Sequence, residues 1–425
     1  MGSIALFVLS GIVVSLVVVI LFLLLGPGLP YTIVRPPTVG IASEAFLRIL
    51  ASLADAQVYR GARIDVLANG ECFYEAELAA IREARHSINL EAYIFRKGEV
   101  CGRMVAALAE RARAGVEVSL VLDAVGSFTT WRSYFKELSE AGGRVHWYHP
   151  LRWHTLPRIN NRTHRALLIV DGRVGFIGGA GFADIWRFDR DGRRRWRDTM
   201  FRVEGDVVRG LQATFVENWV ESSGEILTAE HYFPKASAPG SATALVVNSS
   251  PTTGLSTRAR LLFQTLLACA HKSILITTPY FLPDRSARQE ILRAIRERGV
   301  KVTIITPGRH TDQLLTRRSS RRLYGTLLCA GAEIHEYQPG MIHTKALVVD
   351  ALWSVVGSTN FDNRSFGLND EINLAACDAD LARCLTEDFA RDLAQSRAIS
   401  YGEWRRRSLF ERGHELLGSL LERQQ

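Results

Sequence analysis

Lysine is nearly absent: the chain of 425 residues holds six, against forty-six arginines. A lysine at a marked position is therefore not background. Cysteine is sparse too, and the six present (Cys72, Cys101, Cys269, Cys329, Cys377 and Cys384) form no C-x-x-C and no paired metal spacing. That argues against a disulfide framework or a structural zinc site and suits reduced, buried thiols. Neither a metal nor another cofactor is expected. No charged residue precedes Arg35. A cleaved signal peptide would carry a basic leading segment and a shorter apolar core. Residues 4–25 instead form an uncharged run of 22, enough at roughly 1.5 Å per residue to cross a hydrocarbon core of about 30 Å. The run is read as an uncleaved transmembrane anchor within residues 1–30. Arg35, Arg48, Arg60 and Arg63 all follow it, which favours a cytoplasmic body.

What is present belongs to a folded protein: 47% hydrophobic and 23% charged residues. The length points to two domains or one large two-part domain. The net charge of +8 fits an anionic partner, either phospholipid head groups or nucleic acid. The anchor favours lipid.

After a tether and helix (residues 31–58, the helix over 44–57), an α/β pattern runs from residue 59 to 233. Strands are expected at 64–67, 87–95, 116–122, 145–148, 166–170 and 174–177, with helices at 75–84, 102–114 and 131–141. A Pro- and Ser-containing linker over 234–243 separates this half from a second at 244–400, and a basic helix is expected over 401–425. The second half repeats the first. His86-Ser87-Ile88 answers Lys272-Ser273-Ile274, and Tyr93-Ile94-Phe95 answers Tyr280-Phe281-Leu282. Tyr148-His149-Pro150 answers Tyr337-Gln338-Pro339. The simplest account is two copies of one α/β unit.

The chemistry-bearing stretch lies in residues 341–366. His343 and Lys345 are two apart and leave the same face of an extended strand, so a proton carrier or nucleophile stands beside a fixed cation. Gly357-Ser358-Thr359-Asn360 follows, where small residues let backbone and the Ser358 and Asn360 side chains approach an anion. The repeat predicts a counterpart, and His164, Asp171 and Gly178-Gly179-Ala180-Gly181 supply it. From His to Asp is seven residues and from His to the first Gly fourteen, as from His343 to Asp350 and Gly357.

With both histidines in place the chain resembles the phospholipase D superfamily, whose signature is H-x-K-x-x-x-x-D followed by G-[GS]-x-N, twice per monomer. It looks most like bacterial cardiolipin synthases, through Thr-Pro-Tyr-Phe-Leu-Pro-Asp at 278–284 and Asn-Asp-Glu-Ile-Asn-Leu at 369–374. The resemblance implies two phospholipase D-like α/β/α sandwich halves forming one pseudo-two-fold catalytic unit behind the transmembrane helix. It implies a bacterial inner-membrane, single-pass enzyme acting on anionic phospholipids, with phosphatidylglycerol as substrate and cardiolipin as product. Catalysis would need no metal. One histidine attacks phosphorus and the other protonates the departing alcohol, with His164 expected to attack and His343 to act as acid. Lys345, Asn360 and Ser358, with Gly178, Gly179 and Gly357, would hold the phosphate. Asp198 and Glu371 would orient the imidazoles, and Asp171 and Asp350 would take turn or structural roles near the site.

The first motif departs from the signature: Ala166 stands where the family has Lys, and Gly181 where it has Asn. Arg165 points to the opposite strand face. A replacement cation is sought in residues 187–197, a segment rich in arginine, and membrane contact in Trp153, His154 and Leu156. The basic pairs Arg317-Arg318 and Arg321-Arg322 and the triplet Arg405-Arg406-Arg407 would add attraction to anionic lipid. Three alternatives remain open at this point: a hydrolase of the same superfamily, a nuclease, and a degenerate member that binds anionic lipid without turnover.

Overall fold

The computed structural model describes residues 32–150, 160–189, 195–235, 237–251 and 257–408, with residues 10–11, 13–17, 411–413 and 415 besides. The expected anchor falls largely outside these, as do Trp153, His154 and Leu156. Residues 10–11 and 13–17 are helical, and among the described residues no helix is long and apolar enough to cross a membrane.

The first half contributes β1 (Val58–Ala68), β2 (Ser87–Ala92), β3 (Glu117–Asp123), β4 (Arg144–Tyr148), β5 (Arg162–Thr163), β6 (Leu167–Val170), β7 (Val174–Gly178) and β8 (Thr199–Glu204). The second contributes β9 (Ala242–Ser249), β10 (Ser273–Thr277), β11 (Lys301–Pro307), β12 (Glu333–Tyr337), β13 (Ala346–Val349), β14 (Trp353–Gly357), β15 (Asn369–Cys377) and β16 (Ser396–Ala398). They form one sheet in the order β16-β12-β11-β10-β13-β14-β15-β9-β1-β8-β7-β6-β2-β3-β4, with β5 paired to β15. Read outward from β9 and β1 the two wings carry equivalent strands, so the repeat seen in sequence is a pseudo-two-fold in space. The runs β2-β3-β4 and β10-β11-β12 are parallel, and Ile88, Leu90, Val118, Leu120, Ile274, Ile276, Val302 and Ile304 within them are buried.

β1 extends beyond the expected residues 64–67 because it serves both wings. Arg63 to Ala68 pair with β8, and Val58, Tyr59 and Ala62 pair with β9 across a register shift. The helix Glu44–Leu53 belongs by packing to the second half. Ser43 caps it by accepting a hydrogen bond from the Phe46 amide (3.1 Å). Phe46, Leu47, Leu50 and Ala51 fall on one face and bury against Leu262, Phe263 and Trp353. Each such large side chain contributes about 1.5–3 kcal/mol of burial.

The turns carrying Asp171 and Asp350 correct one expectation. Asp171 accepts from the amides of Arg85, His86 and Ser87 (2.9, 2.7 and 2.8 Å), and Asp350 from those of His271, Lys272 and Ser273 (2.9, 2.7 and 2.9 Å). Both carboxylates therefore tie down the amino ends of β2 and β10. The candidate site opens at the carboxyl ends of those strands, a strand length away, so neither aspartate is near it.

Candidate active site

Each histidine is set by backbone pairing with the other half. The His164 amide donates to the Asp370 carbonyl (2.9 Å), where β5 runs beside the start of β15. The His343 amide donates to the Arg197 carbonyl (2.7 Å), and the Arg197 amide to the Met341 carbonyl (2.8 Å). The residue after each of these partners, Glu371 or Asp198, is thereby brought beside the imidazole. His164 Nδ1 lies 3.1 Å from both carboxylate oxygens of Glu371, and His343 Nδ1 lies 2.7 Å from Asp198 Oδ2. The acids are exchanged between halves. An ionised carboxylate only accepts, so it holds Nδ1 as the donor and leaves Nε2 with its lone pair.

The carboxylates are themselves fixed. Asp198 accepts from Trp186 Nε1 (3.0 Å) and the Thr199 amide (2.8 Å). Glu371 accepts from the Ser358 hydroxyl and from Asn369 Nδ2 (3.4 Å). Ser358, expected to meet substrate, is instead buried support for Glu371, its oxygen also accepting from the Ile372 amide (3.0 Å). Such outer partners set the orientation of the ring they hold.

Both histidines line one cavity of about 390 Å³, together with Tyr93, Ala166, Gly179, Tyr280, Asn360 and Asp362. Lys345, buried beside His343, donates to its carbonyl (2.9 Å) with Nζ 3.1 and 3.3 Å from the ring nitrogens. Its stem lies against Gly179 of the first half, where an added Cβ would stand 2.7 Å from Nζ. Burial lowers the Lys345 ammonium to a pKa of about 8, against the pull of Asp198, Glu371, Asp312 and Asp362. Burial, then Lys345, also lowers His343, despite Asp198. For Asp198 burial acts upward, but His343 and Lys345 outweigh it and hold the carboxyl below its usual range. Burial pushes Asp362 up to about 6 although its side chain caps a short helix by accepting from the Ser365 amide (2.7 Å). Trp196 and Trp186 pack 5.0 and 5.6 Å from the His343 ring, and Tyr93 5.3 Å from that of His164.

Of the other expected phosphate contacts, Asn360 lines the cavity with its buried Oδ1 unpartnered. Gly178 and Gly357 serve the sheet: an added Cβ would meet Met200 Sδ at 2.3 Å and the Ile372 carbonyl at 2.2 Å.

This double constellation decides the family. The family described as "Cardiolipin synthase, PLD-like domain" matches twice, over residues 78–208 and 263–393. The chain belongs to that family. Cardiolipin synthase 2 of Bacillus anthracis is 34% identical over 352 residues, covering 81% of this chain and 67% of that protein. The major cardiolipin synthase of Bacillus subtilis (strain 168) is 34% identical over 361 residues, covering 84% and 74%. A phosphatidylserine synthase of Haemophilus influenzae Rd KW20 shares the fold, with TM-score 0.70 at 15% identity over 90% of this chain and 100% of that one.

Within the family pattern the first motif is where this cardiolipin synthase relative stands apart. Ala166 borders the cavity, and at Gly181 a Cβ would stand 2.4 Å from the Ile94 carbonyl, so backbone occupies the room an asparagine side chain needs. Among the described residues of the arginine-rich segment, each arginine is paired with an acid of the fold. Arg187 pairs with Glu75 (3.0 Å), Arg195 with Glu71, and Arg197 with Asp392 (3.0 Å), while residues 190–194 lie outside the described set. Arg317 and Arg321 likewise bond Glu336, and Arg407 bonds Glu415. Arg165 is fully buried on the far face, ion-paired to Glu217 (2.9 Å). Among the described residues, the arginines that line the cavity are Arg96, Arg162 and Arg364. Arg162 donates to the His149 carbonyl (3.1 Å) and stands 3.6 Å from Asp123 Oδ1; Arg364 donates to Asn160 Oδ1 (2.9 Å). Sequence reasoning passed over both, although Arg162, two residues before His164, shares its strand face.

Proposed function

We propose that the chain is a membrane-anchored phosphatidyltransferase that makes cardiolipin from two molecules of phosphatidylglycerol. The observation that carries this reading is the crossed pair of His–carboxylate couples on one cavity. His164 Nε2 attacks phosphorus, the P–O bond to glycerol breaks, and His343 gives that oxygen its proton, leaving a phosphatidyl-histidine. Glu371 stabilises the positive ring so formed. The hydroxyl of a second phosphatidylglycerol then attacks phosphorus while His343 takes its proton back, and the bond to His164 breaks. Cardiolipin and glycerol are the products. Lys345 and Asn360 stabilise the non-bridging oxygens as charge gathers on them.

The lowered pKa of His343 favours a second assignment of roles, since an unprotonated imidazole is the nucleophile's state. In the first assignment the arriving phosphodiester anion must restore the proton of His343. Trapping with labelled phosphatidylglycerol separates them: label lost in His164→Ala but retained in His343→Ala supports attack by His164, and the reverse result exchanges the roles. The whole reading is tested by product analysis of the purified chain in phosphatidylglycerol vesicles. Cardiolipin with released glycerol is expected. Phosphatidic acid alone would make the protein a hydrolase, and no labelled protein or product at all would leave only lipid binding.

A further inference from the structure

Chain segments beside residues that line the cavity carry apolar side chains that the fold leaves in water. Among the described residues from 32 onward, eight large apolar side chains are exposed, and four of them sit in the two segments that follow the equivalent strands β3 and β11. Phe128 (68%) and Trp131 (76%) belong to the first, Leu314 (50%) and Leu315 (40%) to the second. Scattered exposed apolar residues need no explanation, but two pairs in pseudo-symmetric segments do.

The aromatic pair stands on a fixed base. Ser127 Oγ donates to the Tyr93 carbonyl (2.8 Å) and Thr130 Oγ1 to the Phe95 carbonyl (2.6 Å), so buried, bonded residues flank the exposed rings. Tyr93 lines the cavity. On the other side Leu314 and Leu315 open a helix between Gln313 and Thr316, both of which also line it. Arg132 and Arg309, next to or near these side chains, are exposed as well.

The tether leads to the same edge. Ile41 accepts from Trp353 Nε1 (2.7 Å) at the start of β14, the end away from the cavity. Ile33 accepts from Arg293 (3.0 Å), and Thr32 bonds Gln289 (3.2 Å). The helix Arg285–Arg298 starts at the cavity edge, so the chain followed back from Ile41 to Thr32 climbs toward it. Thr32, the first described residue of the body, therefore lies toward the side on which the cavity opens.

We propose that Phe128, Trp131, Leu314 and Leu315 form a docking rim that enters the head-group layer of an anionic phospholipid bilayer, with Arg132 and Arg309 against its phosphates. Aromatic side chains suit that interface, and basic residues add attraction to it. The rim seats the cavity mouth on the surface where a two-chain lipid presents its phosphodiester. This rests on the lipid reading of the cavity, but its test does not need turnover.

The full chain is reconstituted in vesicles of phosphatidylglycerol and phosphatidylcholine, with and without bromine on the upper acyl carbons, and emission is compared with that of Trp131→Phe. The component lost in the variant is expected to be quenched by bromine; a Trp131 component equally bright in both vesicles overturns the rim whatever the activity. The fourfold variant Phe128→Ser/Trp131→Ser/Leu314→Ser/Leu315→Ser is then compared on two substrates. Turnover of bilayer phosphatidylglycerol is expected to fall about tenfold or more, and turnover of monomerically dispersed dihexanoyl phosphatidylglycerol to stay unchanged. Retained bilayer turnover, or an equal fall on both, overturns the proposal. Absence of cardiolipin from the unmodified chain on either substrate would instead strike the functional reading, and the quenching result would still decide the rim.

Discussion

Gly179→Ala tests whether Lys345 acts from where the fold holds it. The added methyl would stand 2.7 Å from Nζ, 3.0 Å from Cδ and 3.2 Å from Cε of Lys345. Carbon and nitrogen need roughly 3.5 Å, so the end of the side chain must withdraw by about 1 Å. The obstacle is flexible, and Gly179 is absent from the residues with positive φ, so alanine meets no backbone strain. Stability should change by less than about 1 kcal/mol. The ammonium, however, would lose its bond to the His343 carbonyl (2.9 Å) and its place beside the imidazole. A misplacement of about 1 Å costs about 10²-fold, or ~2.7 kcal/mol of barrier. The assay is kcat for cardiolipin formation in phosphatidylglycerol vesicles alongside thermal unfolding. In a Lys345→Ala background the same substitution should do nothing further, because both changes remove one interaction. A wild-type rate with wild-type Tm in Gly179→Ala, or full additivity in the double variant, would refute the reasoning.

Asp198→Asn keeps the shape beside His343 but removes the charge that stabilises its imidazolium; we expect about 10³-fold loss of kcat, with Glu371→Gln doing the same from the other half, both read by product formation. Lys345 has a pKa near 8, so its charge is present below that pH and lost above it; kcat/KM should fall as pH rises through about 8. Lys345→Arg, slower overall, should lack that alkaline limb, and an unchanged limb would place the titration elsewhere. Gly181→Asn, which restores the family residue, should lower Tm and not raise activity, because its Cβ meets the Ile94 carbonyl. Ala166→Lys should give no gain in rate, since Arg96, Arg162 and Arg364 already line that cavity; a tenfold gain, on the order of a restored charged hydrogen bond, would show the first half to be impaired.

The parts of the fold legible in sequence were those fixed by period and repeat. Apolar strands, the glycines that end helices, and the paired His–Asp–Gly spacings depend on neighbours a few residues away, and the structure keeps them in the expected places. Longer reach defeated the reading in identifiable ways. Ser358 looked like a phosphate contact because small residues after a strand suit anions, yet its hydroxyl is taken by Glu371. The arginines after Trp186 looked available because exposure cannot be read from composition; Glu75, Glu71 and Asp392 hold those described. Asp171 and Asp350 share the motif but face away, since the four residues of β6 or β13 separate each from its histidine's end.

The exchange of carboxylates also bears on why the unit is double. A half in isolation would keep its histidine but lose both the backbone strand that aligns it and the acid beside it, since Asp370 and Glu371 serve His164 while Arg197 and Asp198 serve His343. Lys345 is likewise confined by Gly179 of the opposite half. One imidazole without its carboxylate is free to rotate and to take either tautomer, and it has no counter-charge for the state in which it carries phosphorus or a proton. Loss of the first-motif lysine and asparagine is then tolerable in a way that loss of Asp198 or Glu371 is not. Phosphate can draw on several cations around one cavity, whereas among the described residues each imidazole has a single carboxylate bonded to Nδ1, and that carboxylate belongs to the other copy.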